Sequence, residues 1–209
     1  MLLKIYPQNP NEKHLRQVVE CLQDGGVVIF PTDTVYAIGC DSTLIRSAEK
    51  VSSMKGLELG KSNFSFLCSD LSHISDYTRQ VDTGTFKLMK KLLPGPYTFI
   101  LNAGSKVPPR YFGPKSKKKT IGIRIPDNSI TRGLISMLGN PMMSTSVHDD
   151  DEVLEYTTDP ELIYEKYRDA VDIVIDGGYG GNEASTVIDC TEEVPLVIRK
   201  GKGDIDGIL

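Results

Sequence analysis

Thr32, Asp33 and Thr34 follow a short apolar run, Val27 to Phe30, closed by Pro31. Small polar side chains at the carboxyl end of a strand stand where open α/β sheets bind ligands. The plainer alternative is a capped strand-to-helix turn, with Thr and Asp saturating backbone groups and Gly39 supporting the turn back into the interior. The pattern recurs. Thr120 and Arg124, Ser144 and Ser146, Ser185 and Thr186, and Arg199 each open or close an apolar run. Arg124 is the sharpest case, because it lies within I-G-I-R-I-P and must face solvent, a cavity or an acid. A guanidinium in a pocket wall suits a carboxylate or phosphate by its bidentate geometry; a structural ion pair with an acid such as Asp33 accounts for it equally well.

Further candidates lie in polar loops. Lys55 to Asn63 supplies Lys55, Lys61 and two glycines, a set that can hold phosphates, but the spacing is not that of a P-loop, and a solvated loop fits it too. Lys115, Lys117, Lys118 and Lys119 form a basic turn, either solvated or in contact with nucleic acid. His148 closely follows Ser144 and Ser146, yet no nucleophile elbow surrounds it, which argues against a triad. Asp149 to Asp151 is an unspaced acidic run of the kind found in exposed loops, and no metal site is expected. The four cysteines are scattered without a C-x-x-C pair, so they read as buried or idle thiols.

Elements must position these groups. The chain has 209 residues and a net charge of −4, which suits one domain spanning 1–209 and gives no global field favouring nucleic acid. No run spans a bilayer and no signal core opens the chain, so a cytoplasmic protein without membrane contact is expected. Asn11 is placed to cap a helix over 12–24, and a second helix is expected from Ser42 to Met54. Asp70 is expected to cap a short helix, and Asp82 or Thr83 a longer one. Pro94-Gly95-Pro96 breaks the chain before a strand at Tyr97 to Leu101. Strands follow at 120–125 and 141–146, with a helix from Ser129 to Leu138 between them. A helix opens at Asp159-Pro160, then come a strand at 171–175, a flexible glycine turn at 177–181, and closing strands at 185–189 and 196–199. Several strands lack an intervening helix, so the fold class is α/β with a mixed sheet.

Together these segments resemble the YrdC/YciO family, which includes the threonylcarbamoyl-adenylate synthases. The matching stretches keep the family's order: F-P-T-D-T-V-Y-A-I-G at 30–39, K-G at 55–56 with Asn63 after it, and L-P-G-P-Y-T at 93–98. I-G-I-R-I-P at 121–126, S-T-S at 144–146, S-T-V-I-D at 185–189 and I-R-K-G at 198–201 follow. The terminal segments are most similar to the YciO branch. The resemblance implies a single domain with a twisted mixed sheet and flanking helices around a large concave cavity. It also implies synthesis of threonylcarbamoyl-adenylate from L-threonine, bicarbonate and ATP with Mg²⁺, feeding the t6A modification at adenosine 37 of tRNA. Double-stranded RNA binding is described for the family, and a non-catalytic nucleotide- or RNA-binding protein is the alternative.

By that resemblance Thr34, Arg124, Ser146 and Ser185 take the threonine part, with Lys55 and Arg124 the catalytic pair. Lys55, Lys61, Asn63, Thr120, His148 and Arg199 lie around the nucleotide, and Lys115, Lys117, Lys118 and Lys119 are the RNA candidates. The chain also departs from the synthase pattern. Leu57 stands where K-x-R places an arginine, Cys68 where the threonine site has a histidine, and Ser146-Val147-His148 where S-A-N is usual.

Overall fold

In a computed structural model of the chain, residues 1–61, 64–113, 116, 118–147 and 157–206 are described. Their strands join in one sheet. Its members in chain order are β1 (Leu2–Lys4), β2 (Val28–Phe30), β3 (Ala37–Asp41), β4 (Ser65–Leu67), β5 (Tyr97–Asn102), β6 (Thr120–Arg124), β7 (Met142–Ser146), β8 (Ile173–Asp176), β9 (Thr186–Asp189) and β10 (Leu196–Arg199). Across the sheet the order is β1-β8-β2-β3-β7-β4-β6-β5-β9-β10. β1–β8, β2–β8, β4–β6 and β5–β9 run parallel, and the remaining pairs run antiparallel. This is the mixed α/β sheet expected.

Helices cover both faces. Helix α1 (Glu12–Gln23) buries Leu15, Val18, Val19 and Leu22, the stripe a helical period requires, and Asn11 caps it by accepting from Lys13 N at 2.9 Å. Helix α5 (Ser129–Leu138) opens with Asn128 accepting from Thr131 N at 3.1 Å and ends at Gly139 with φ 76°. Both pack with Val28, Phe30, Ile173 and Ile175 into one core. The second core lies on the opposite face, around Ile29, Ile38, Phe66, Phe99 and Ile123. Helices α2 (Ile45–Met54) and α4 (Thr83–Leu92) send Ala48, Val51 and Met89 into it. The short helix α3 (Ile74–Tyr77) adds Ile74, and α6 (Pro160–Tyr167) adds Ile163. Among the described residues no helix is long and apolar enough to cross a membrane.

Four local expectations change. Thr32–Thr34 is not a strand-to-helix turn, because the chain returns at once as β3, antiparallel to β2, with Ile29 opposite Ile38. Gly39 therefore sits in a strand. A Cβ there would lie 2.5 Å from Met143 O, so close strand approach, and not a turn, excludes a side chain. Helix α2 starts at Ile45 because the Asp41 carboxylate holds Thr43 N and Thr43 Oγ1, both at 2.8 Å, in a turn. Asp70 makes the same kind of turn with Ser72 N at 2.7 Å, while α3 begins only at Ile74.

The glycine turn at 177–181 is pinned as well. Tyr36 Oη donates to Gly178 O at 2.7 Å and accepts from Gly177 N at 3.1 Å, and Gly181 N donates to Thr34 O at 2.9 Å. The Tyr36 ring is fully buried. Tyr36→Phe keeps that packing but strands a carbonyl and an amide. A loss of about 1–3 kcal/mol is expected in urea unfolding, and an unchanged midpoint would show that the hydroxyl does not hold the turn.

Candidate functional site

The site begins at Pro31. It cannot donate to a ladder, and its free carbonyl accepts from Thr131 Oγ1 of α5 at 2.5 Å. Thr32 Oγ1 then donates to Val35 O at 2.6 Å and accepts from Thr34 N at 3.1 Å, closing a tight hydroxyl turn. Lys202, beyond β10, donates from Nζ to Asp33 O at 2.6 Å. With the bond from Gly181 N to Thr34 O, the turn is thus fixed from three separate parts of the chain.

Arg124 closes β6 and reaches across to this turn. Its Nη2 donates to Thr34 Oγ1 at 2.7 Å, to Thr32 Oγ1 at 3.3 Å and to Asp33 Oδ1. The ion pair that the sequence offered as an alternative is therefore formed. Arg124 also lines the cavity, so the two readings do not exclude each other. Burial presses the guanidinium below its ordinary value, Asp33 pulls it back, and the nearby charge of Arg199 lowers it again. An arginine starts so high that it stays charged through this. Arg124 Nε and Asp33 Oδ2 are buried without a hydrogen-bond partner.

The cavity occupies about 650 Å³, within the range that small-molecule sites fill. Sheet register builds its floor. Ser65 lies opposite Gly122 and Ser144, Ser146 opposite Ala37, and Ile100 opposite Gly122, so small and hydroxyl side chains share one face while Phe66 and Ile123 fill the core behind. Ser185 Oγ shares a hydrogen bond with Thr98 Oγ1 at 2.8 Å, and Arg199 Nη2 donates to Ser185 O at 2.9 Å. The opposing wall comes from the loops holding Lys55, Lys61 and Lys118. They meet at Gly60 and Gly113, whose backbones approach so closely that a Cβ on Gly60 would lie 2.7 Å from Gly113 Cα. Five cations, Lys55, Lys61, Lys118, Arg124 and Arg199, line the cavity, and no acid does among the described residues.

The structure thus gathers Arg124, Ser146, Ser185, Lys55, Lys61, Thr120 and Arg199 around one space. Thr34 stands just behind, on Arg124. Lys118, expected in an RNA-binding turn, lines the same cavity and pairs with Glu192 at 2.6 Å. Lys119 lies over the Phe112 ring at 5.9 Å. Asn63, Lys115, Lys117 and His148 lie outside the described residues. Cys68 is on the core side of the sheet with Phe66, so it cannot serve as a threonine-site group; burial raises its thiol to about 12. Lys202 carries no signature in the sequence, because its contact is to a main-chain carbonyl. A smaller hollow of about 480 Å³ at the ends of β5 and β9, lined by Arg79, Asp82, Glu192 and Glu193, contains none of the expected residues.

Two expectations follow. Arg124→Ala leaves the Asp33 carboxylate buried and unpaired, so unfolding free energy falls by about 3–5 kcal/mol, and Asp33→Ala added to it restores part of the loss. Additive losses in urea titrations would show that the two groups are not coupled. Cys40, Cys68 and Cys190 are buried, with thiols raised to about 12, 12 and 11, and half-buried Cys21 is raised to about 11. A colorimetric thiol reagent at neutral pH is expected to label the folded chain slowly and the urea-unfolded chain at once. Rapid labelling of the folded chain would contradict this.

Comparisons with known proteins show the family and the fold. The Sua5/YciO/YrdC family model, described as telomere recombination, matches residues 20–201. YciO of Escherichia coli (strain K12) is 42% identical over 206 residues, covering 98% of this chain and 97% of its own. The crystal structure of E. coli YciO superposes with a TM-score of 0.91 at 40% identity, covering 100% of this chain and 99% of that one. A protein of Methanocaldococcus jannaschii named putative threonylcarbamoyl-AMP synthase is 32% identical over 205 residues, 96% of this chain and 92% of its own. The fold is shared with P. abyssi Sua5 crystallised with L-threonine, with a TM-score of 0.86 at 24% identity over 96% of this chain and 57% of that one. The chain belongs to the Sua5/YciO/YrdC family.

Proposed function

We propose that the cavity binds L-threonine at Arg124 and ATP along its cationic wall. On this reading the chain is a cytoplasmic synthase that joins L-threonine, bicarbonate and ATP into threonylcarbamoyl-adenylate with release of pyrophosphate, for t6A modification of tRNA. The observation that carries the reading is the lining itself: five cations without an acid among the described residues, over a floor of hydroxyls. A relative named putative threonylcarbamoyl-AMP synthase and a fold relative crystallised with L-threonine support it.

Each residue then has a task. Arg124 presents directional N–H groups to the threonine carboxylate, with Thr34 fixing the guanidinium and the Ser146 and Ser185 hydroxyls orienting the amino acid. Lys55 and Lys61 face the phosphates, Arg199 the far end of the nucleotide, and Thr120 its sugar or base. The lining offers no carboxylate among the described residues, so Mg²⁺ fits as a partner of the ATP phosphates and not of a protein acid. It would offset charge on the phosphate oxygens. No covalent nucleophile is needed. The chain's part is to hold the reacting groups together and to stabilise charge at the attacked carbonyl and α-phosphate.

Leu57 favours a second reading. It lines the cavity where synthases of the family carry arginine. Losing one such donor costs about 10²–10³-fold in rate. The cavity then binds nucleotide, or structured RNA at its rim, with little turnover. Pyrophosphate release from ATP and bicarbonate, measured with and without L-threonine, separates the two. The synthase reading expects threonine-dependent release, reduced about 10²-fold by Lys55→Ala and raised by Leu57→Arg. Binding of ATP without release, unchanged in Leu57→Arg, would leave the binding reading in place.

A further inference from the structure

Arg124 does not meet the cavity as a free cation. Its side chain is 9% exposed and that of Asp33 is 10% exposed. Nη2 carries two N–H groups but has three acceptors around it, Asp33 Oδ1, Thr34 Oγ1 and Thr32 Oγ1. Nε of the same guanidinium and Oδ2 of the same carboxylate stay buried and unpartnered. So the buried end of the cavity presents one cation, Arg124, with an anion, Asp33, behind it and outside the lining, and each keeps spare hydrogen-bonding capacity.

The other cations differ in exposure, not in having partners: Lys61 pairs with Glu58 at 3.0 Å and Lys118 with Glu192 at 2.6 Å. Lys61, Lys118 and Arg199 are exposed and Lys55 is half-buried, so water and salt weaken their fields. Charge in this cavity is therefore divided into an exposed wall, whose pairs with Glu58 and Glu192 are open to water, and a buried guanidinium that is neutral as a pair with Asp33. Lys202 binds the main-chain carbonyl of Asp33, leaving the carboxylate to Arg124.

We propose that Asp33 is a specificity-determining residue, which by cancelling the buried charge of Arg124 reserves this end of the cavity for a zwitterionic amino acid and turns phosphate groups away from it. The inference rests on the reading of the cavity as an amino-acid and nucleotide site. A paired guanidinium still offers N–H geometry but little net attraction. A zwitterion answers both charges, its carboxylate facing Arg124 and its ammonium lying in the field of Asp33. A phosphate gains the first contact but is repelled by Asp33, at short range and low dielectric. The triphosphate is thereby steered to the lysines and kept out of the amino acid's place.

Calorimetric titration of the full chain with L-threonine and, separately, with inorganic phosphate tests this. Asp33→Asn is expected to weaken L-threonine and strengthen phosphate, each by about ten-fold, the scale of one charge coupling. The phosphate gain should vanish in Asp33→Asn/Arg124→Ala. A purely structural role for Asp33 would weaken both ligands together, and that result, or unchanged phosphate affinity, overturns the proposal. Should Asp33→Asn fail to fold, the double variant, which removes both charges, is compared with the native chain. With Asp33 present, phosphate affinity should hardly depend on Arg124, so equal phosphate affinity in the two supports the proposal and a large loss in the double variant overturns it. If the native chain does not bind L-threonine, the synthase reading fails, while the phosphate comparison still decides the role of Asp33.

Discussion

A guanidinium buried at the end of a central strand needs a counter-charge, and much of the cavity's architecture follows from where that charge is found. Arg124 takes it from Asp33, 91 residues earlier. An ion pair taken out of water gains little unless its geometry is held, because desolvation offsets the attraction. Here the holding is done by parts far apart in the chain. Helix α5 secures Pro31, the turn after β8 secures Thr34, and the segment beyond β10 secures Asp33. The pair therefore ties both halves of the sheet to one point at the cavity floor.

Alternation in the central strands does the rest. Ser65, Gly122, Ser144 and Ser146 on one face leave room and polar groups, while Phe66, Ile123, Ile38 and Phe99 on the other make the core that holds the strands flat against each other. One face of the central strands is all core, while the other divides between the ligand space and the core under α1 and α5, with Ala37 and Leu67 belonging to both. Cys68 shows the rule by its position: one residue past Leu67 it changes faces, and a side chain there belongs to the core whatever its chemistry.

Much of this was legible in the sequence because the signals are local. The Asn11 cap, the Leu15–Leu22 stripe, the run ending at Pro31 and the arginine inside I-G-I-R-I-P each report their own surroundings. The hydroxyls at strand ends were legible for the same reason; Thr120, Ser144, Ser146 and Ser185 line the cavity, whereas Thr34 and Thr186 do not. What could not be read is pairing across long separations. Nothing near Leu2–Lys4 announces that it lies beside residues 174–176, or that β8 is inserted between β1 and β2. The Thr32–Thr34 turn was open to misreading because Thr and Asp cap helices as readily as they close hairpins; a neighbouring strand, β7, decides the matter by pairing with β3. Lys202 acts through a backbone carbonyl 169 residues away, which no residue type encodes.

The place of β8 in the sheet has a consequence for how the molecule is made. β1 and β2 are among the earliest elements to be synthesised, yet in the sheet they are separated by a strand from residues 173–176. A growing chain that has already emerged through β7 still has an open edge at β2 and an unpaired β1, with the apolar stripe of α1 lacking much of its sheet. Contacts of such long sequence separation are slow to close. During translation the amino-terminal strands therefore wait for residues 173–176 before their part of the sheet can close.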